Sequence, residues 1–277
     1  MRNRLARQLA LPTLASLLMF VAAPAHAAQP PLRVCADPNN LPYSNQAGEG
    51  FENKIAGLIA GKLGRPLQFV WRAQRRGYLR EGLKAGECDL VTAEPSATFM
   101  ILTTRPYYRS TYVFVSRPGE PAVSSFDDPA LRTKRIGVQL IGDDGMNSPP
   151  AHALAARGII DNVRGFPVYG DYRNANPISS IVAAVADGQI DVAAVWGPIG
   201  GYFASRQNPP LIVTPVAAKL TDRIPMSFDI SMGVRKSDPD LGEAVQRALD
   251  DLAPQIATIL KAYGVPLAAR PGQVLDQ

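Results

Sequence analysis

Few side chains in this 277-residue sequence stand at spacings that support covalent chemistry. There is no Gly-x-Ser-x-Gly elbow to present a nucleophile, no phosphate-cradling P-loop, no dinucleotide fingerprint and no zinc motif. Glu94, at the end of a strand-like run, could act as a general acid or base, but a lone acid more often has a structural or ligand-positioning role. His152 has no partner that the sequence identifies. No catalytic residue is therefore assigned, and the chain is expected to work without a metal or a cofactor.

Residues suited to noncovalent binding are more numerous. Asp37, Asn40 and Tyr43 follow one strand-like run, and Trp71 and Arg75 lie at and just beyond the end of a second. Tyr169 and Tyr172 follow a third, and Trp196 closes "DVAAVW" just before Gly197-Pro198. In open α/β sheets ligands bind at the carboxyl ends of strands, so these positions converge on one opening if the strands belong together. Tyr43, Trp71, Tyr169 and Tyr172 are candidate aromatic walls, and ordinary packing explains each equally well. Asp143, Asp144 and Asn147 precede Ser148-Pro149, which reads as the N-cap and first position of a helix. Their carboxylates and the local backbone donors would face the same opening. A plain Asp-Asp-Gly turn fits as well, and the spacing is not that of a calcium loop.

Cys35 in "LRVCAD" and Cys88 in "GECDLV" are the only cysteines. An even count in an exported protein invites a disulfide, which would contribute about 4 kcal/mol by restricting the unfolded chain. The bridge is feasible if the two runs are sheet neighbours; two buried thiols are the alternative.

The elements that must position these residues alternate. Strand-like runs fall at 32–36, 67–71, 88–92, 111–115, 135–139, 163–169, 191–196, 211–216 and 229–235. "FENKIAGLIAGKLG" puts Ile55, Leu58, Ile59 and Leu63 on one helical face and ends at Gly64, a natural C-terminal cap. Further helices open at Ser148-Pro149 and Asp238-Pro239, the latter breaking at Pro254 and closing at Gly264. The alternation predicts an α/β fold with a mostly parallel, helix-covered sheet. Two extended, Pro-containing stretches, 114–128 and 219–231, could carry the chain to a second lobe and back, or be ordinary surface loops.

Arg2, Arg4 and Arg7, the apolar stretch Leu9 to Ala23 and Ala25-His26-Ala27 together read as a signal peptide over residues 1–27. Without those three arginines the formal charge of +5 falls to +2. That balance, with no block of like charge, does not suggest nucleic acid as a partner. The mature chain contains no further apolar segment of membrane-spanning length.

Several strings carry a resemblance. "LRVCADPNNLPYSN", "GFENKIAGLIAGKLG", "LKAGECDLV", "TTRPYYRSTYVFV" and "VADGQIDVAAVWGP" occur in the order seen in type II periplasmic solute-binding proteins of the amino-acid-binding class. "WRAQRRGYLR", "DDGMNSPPAHALAARGI", "NVRGFPVYGDY", "VWGPIGGYFA" and "PMSFDISMGVR" resemble the MoxJ/XoxJ group, associated with quinoprotein methanol dehydrogenases. The resemblance implies two α/β lobes joined by two hinge strands around a ligand cleft, in the periplasm. Residues 28–116 with 225–277 would form lobe one and 117–224 lobe two. It also implies a non-catalytic accessory role in maturing or activating a dehydrogenase that uses pyrroloquinoline quinone. The partner would be that enzyme's large subunit, and a small-molecule ligand is a further expectation. The alternatives are a solute receptor for an ABC transporter and a dehydratase-like enzyme of the same fold.

Members of this class that bind amino acids hold the substrate carboxylate with an Arg and its ammonium with an Asp. Laid on that pattern, this chain has Ala97 at the Arg position and Trp196 at the Asp position. Arg105 and Arg109 lie nearby at the wrong spacing. The expectation is a cleft in which Trp196 puts a flat wall where relatives put a charge.

Overall fold

The computed structural model describes residues 29–141, 147–169, 171–217 and 224–269. The expected signal segment, Asp143 and Asp144 lie outside the described residues. Along the chain come β1 (Leu32–Ala36), the small hairpin β2 (Asn39–Asn40) and β3 (Ser44–Asn45), and α1 (Phe51–Lys62). β4 (Leu67–Trp71), β5 (Leu90–Pro95), β6 (Leu102–Thr103) and the long β7 (Tyr108–Ser116) follow. The next section holds β8 (Ile136–Leu140), α2 (Pro149–Ala155), β9 (Val163–Pro167), α3 (Ser180–Ala186), β10 (Val192–Trp196), α4 (Gly197–Ala204) and β11 (Ile212–Pro215). The chain then returns through β12 (Ser227–Val234), α5 (Pro239–Asp251) and α6 (Ala253–Ala262).

Hydrogen bonds join the strands in the order β4-β1-β5-β12-β7-β10-β8-β9, with β6 on β12 and β11 on β7. β1 runs parallel to β4 and β5, and β8 runs parallel to β9 and β10, as strand–helix–strand units require. The pairs made by β7 and β12 are antiparallel. The sheet is thus mixed rather than mostly parallel, because two strands run back against the others where the chain passes between lobes. β7 serves both lobes. Its residues Tyr108–Thr111 pair with β12, and Tyr112–Ser116 pair with β10.

Packing follows the apolar periodicity. Ile55 and Ile59 on α1 are fully buried against the first lobe's sheet, each contributing about 1.5–3 kcal/mol by burial. α1 stops where Gly64 takes a left-handed φ of +64°, a conformation a side chain would strain. In the second lobe Phe114, Leu131, Ile136, Val138 and Leu154 close a separate core. Cys35 and Cys88 form a buried disulfide with a Cα–Cα distance of 5.5 Å. It ties β1 to the turn that enters its parallel neighbour β5. Among the described residues no helix is long and apolar enough to cross a membrane.

Candidate functional site

A cavity of ≈ 620 Å³ opens between the two lobes. Strand ends from both sides supply its wall, and one side of that wall is a cluster of three rings. Trp196, at the end of β10, stands in register with Tyr112 on β7. Their ring centroids are 5.2 Å apart at 65°, and Phe228 on β12 closes the group at 5.9 Å from Trp196 and 6.4 Å from Tyr112. These edge-to-face arrangements suit the ring quadrupoles and leave apolar surface toward the cavity. Trp196 is fixed from behind as well. Its backbone N–H donates to Gln139 Oε1 at 3.0 Å, and α4 begins immediately after it with Gly197. A Cβ on Gly197 would stand 2.3 Å from Thr111 O, so only glycine lets α4 start this close to β7.

Asp37 follows β1 and is buried, 3 % exposed. Its Oδ1 accepts from Asn39 N at 2.8 Å, and its Oδ2 accepts from Gln74 N at 2.6 Å and from the Tyr172 hydroxyl. Tyr172 belongs to the opposite lobe, so this contact crosses the cleft. Asn39 crosses it too, donating from Nδ2 to Asn174 O at 2.8 Å and accepting at Oδ1 from Asn176 N at 3.2 Å. The Arg75 guanidinium covers the Tyr172 ring at 4.7 Å. These contacts form a latch at one edge of the cavity. Burial and the bond to Asp37 push the Tyr172 phenol well above its ordinary pKa, so it stays a neutral donor.

Two acids lie beneath the wall. Glu52, on α1, is pushed up to about 7 by burial, while the Tyr107 hydroxyl, donating to its Oε1 at 2.6 Å, pulls the other way. Glu94 is pushed up to about 7 by burial alone. Ala93 and Pro95 line the cavity, whereas Glu94 between them is buried with its side chain on the alternate face of β5.

The candidate residues therefore separate into groups. Asp37, Asn40, Tyr43, Tyr169, Tyr172 and Trp196 line the one cavity. Arg75 stands outside the lining, over the Tyr172 ring, Asn147 is exposed, and Trp71 packs on Phe69 at 5.0 Å outside the lining. Ala97 is exposed and outside the lining as well. Arg105 is paired with Asp250 at 2.6 Å and Arg109 with Asp229 at 3.0 Å, and neither lines the cavity. Sequence reasoning missed Tyr108, Tyr112, Gln139 and Phe228. Tyr108, the first residue of β7, is part of that lining. Register would have found Tyr112, the cross-strand partner of Trp196.

The family description "bacterial extracellular solute-binding proteins, family 3" matches residues 32–265. Protein MoxJ of Methylorubrum extorquens is 34 % identical over 251 residues, which cover 85 % of this chain and 81 % of that protein. The crystal structure of the periplasmic binding protein XoxJ from Methylobacterium extorquens AM1 is 33 % identical with a TM-score of 0.71, covering 86 % of this chain and 100 % of that one. That of MxaJ from Methlophaga aminisulfidivorans MPT is 26 % identical with a TM-score of 0.74, over 86 % and 100 %.

Proposed function

We propose, from the premise that the chain belongs to family 3 of the bacterial extracellular solute-binding proteins, that it is a non-catalytic periplasmic accessory factor of a quinoprotein methanol dehydrogenase system. In this reading it aids maturation or activation of the dehydrogenase and engages the large subunit through the cleft edge around Trp196 and Tyr172. The proposed division gives residues 28–116 with 225–277 to the first lobe and 117–224 to the second, except that the second half of β7, Tyr112–Ser116, pairs and packs with the second lobe. Likeness to MoxJ, XoxJ and MxaJ along most of the chain supports the assignment.

The observation that carries it is the chemistry of the cleft. Among the described residues no Lys, Arg, His or Glu contributes to the lining, and by resemblance Trp196 falls where amino-acid receptors keep an acid. A desolvated charge pair contributes about 2–5 kcal/mol to binding, so losing one weakens a zwitterionic ligand roughly 30- to several-thousand-fold. Aromatic walls with a polar rim suit a protein contact.

Calorimetry against a panel of free amino acids, run beside a binding assay with the apo form of a quinoprotein methanol dehydrogenase, tests the reading. Association with the dehydrogenase and no appreciable amino-acid binding are expected. Micromolar binding of an amino acid without any interaction with the dehydrogenase would restore the transporter-receptor alternative.

A further inference from the structure

Beyond α6 the chain turns back over the hinge. Tyr263 is buried, Gly264 takes a left-handed φ of +65°, and the segment to Ala268 runs beside the first half of β7. Ser110 Oγ donates to Pro266 O at 2.6 Å, Ser110 and Leu267 form an antiparallel bridge, and Ala268 N donates to Arg109 O at 2.9 Å. A strand has two bonding edges, and β12 holds one edge of Ser110 through Phe228, so the tail takes the other. From Tyr112 onward β10 takes up that side. The tail therefore lies against β7 just before the strand passes from one lobe to the other.

The second lobe meets this tail through α4. Gly197 and Gly201 stand on one face of that helix and present bare backbone there. A Cβ on Gly201 would stand 1.9 Å from Gly264 O, and one on Gly197 3.2 Å from Pro266 Cγ. Next to this contact the rings of Tyr202 and Tyr263 stack at 5.5 Å and 14°, with the Arg206 guanidinium over Tyr202 at 3.5 Å and Lys54 Nζ over Tyr263 at 5.2 Å. The Tyr263 hydroxyl donates to Glu49 O, and its ring packs 5.8 Å from that of Phe51, which is fully buried. The tail is thus fixed by α1 and β7 on the side of the first lobe and touched by α4 on the side of the second. Two hinge strands alone leave lobes free to swing, whereas packed contacts have discrete arrangements. We propose that Tyr263–Ala268 is a stop strapped across the hinge, and that its contact with the glycine face of α4 sets the angle between the lobes. This device does not rest on the dehydrogenase reading.

Gly201→Ala tests it in the full-length protein. Alanine suits a helix better than glycine, yet its methyl, 1.9 Å from the Gly264 carbonyl oxygen, must push that group away to an ordinary contact near 3.4 Å. Spin labels at Lys84→Cys and Asp161→Cys, exposed and in different lobes, read the lobe separation, and both native cysteines are in the disulfide. The mean distance should shift by about 2 Å or more, since a displacement at a hinge grows along the lobes. Gly57→Ala, on α1 with open space around it, is the matched control and should leave the distribution unchanged. A chain ending at Ala262 lacks the stop. Its distance distribution should broaden, and adding Gly201→Ala to it should produce no further shift. An unchanged distribution in either the folded Gly201→Ala protein or the folded truncated chain would overturn the proposal, as would an equal shift in the control or a Gly201→Ala effect that survives truncation. Either variant alone decides the matter if the other does not fold.

Discussion

Tyr172→Phe should loosen the closed arrangement of the lobes by a measurable amount. The substitution removes only the hydroxyl that donates to Asp37 and leaves a ring for Arg75 to cover. A hydrogen bond to an ionised carboxylate contributes about 1.5–3 kcal/mol. Tyr172 is only partly buried, so water competes and the lower end applies, about tenfold in the open–closed equilibrium. An open fraction of about 1 % would become about 10 %. Adding Asn39→Ala removes two more bonds across the cleft, to Asn174 and Asn176. At about 1 kcal/mol each, that is a further factor of roughly 30, enough to make the open form the majority. Spin labels at Asp161→Cys and Lys261→Cys, exposed and in different lobes, would report the distance between them. Both native cysteines are in the disulfide, so labelling stays specific. A double variant that kept the wild-type distance distribution would show that the latch does not hold the lobes together.

Replacing both Cys35 and Cys88 by serine opens a loop spanning a sequence separation of 53 residues and should cost about 4 kcal/mol in urea unfolding. Unfolded, non-reduced wild-type protein should in turn show no free thiol. Glu94 has a folded-state pKa of about 7 against an ordinary 4.5, so the folded protein holds a proton that the unfolded chain has released between those values. The corresponding stability is fully present below about pH 4.5 and lost as pH rises through 7, an order-of-magnitude change of 3 kcal/mol. Glu94→Gln should remove that part of the slope from a series of denaturation curves. An unchanged slope would place the titration elsewhere.

The fold was legible because its signals are local. Alternating apolar runs gave strands within a few residues of their observed ends, and Gly64 and Pro254 marked helix boundaries through backbone constraints. The antiparallel pairings of β7 and β12 were not legible, since direction depends on where the chain goes after leaving a lobe. The same distinction divides the site. Trp196, Asp37 and Tyr43 were found because each sits at or just beyond a strand end, a position readable along one dimension. Tyr108, Tyr112 and Phe228 lie within strands and reach the cavity only through cross-strand register. Trp71 looked equivalent to Trp196, yet its β4 is at the edge of the sheet, away from the junction of the lobes. The latch was invisible for a related reason. Asp37 and Tyr172 are separated by 135 positions, and no local pattern links them.

The place of β12 between β5 and β7 also dictates an order of assembly. In a chain emerging N-terminus first, β1, β4 and β5 can pair at once, and the disulfide joining Cys35 to Cys88 can fasten them before the second lobe exists. Closure of that sheet must wait for a strand made much later: Arg109 meets Ser227 across a separation of 118 residues. Until then β5 and the first half of β7 present unpaired edges, the kind of surface that recruits wrong partners. The second lobe, with most of its strands lying between β7 and β12, can fold within that interval. Truncation just before Ser227 would therefore yield one finished lobe attached to one half-sheet, and the unfinished half would be the part that aggregates.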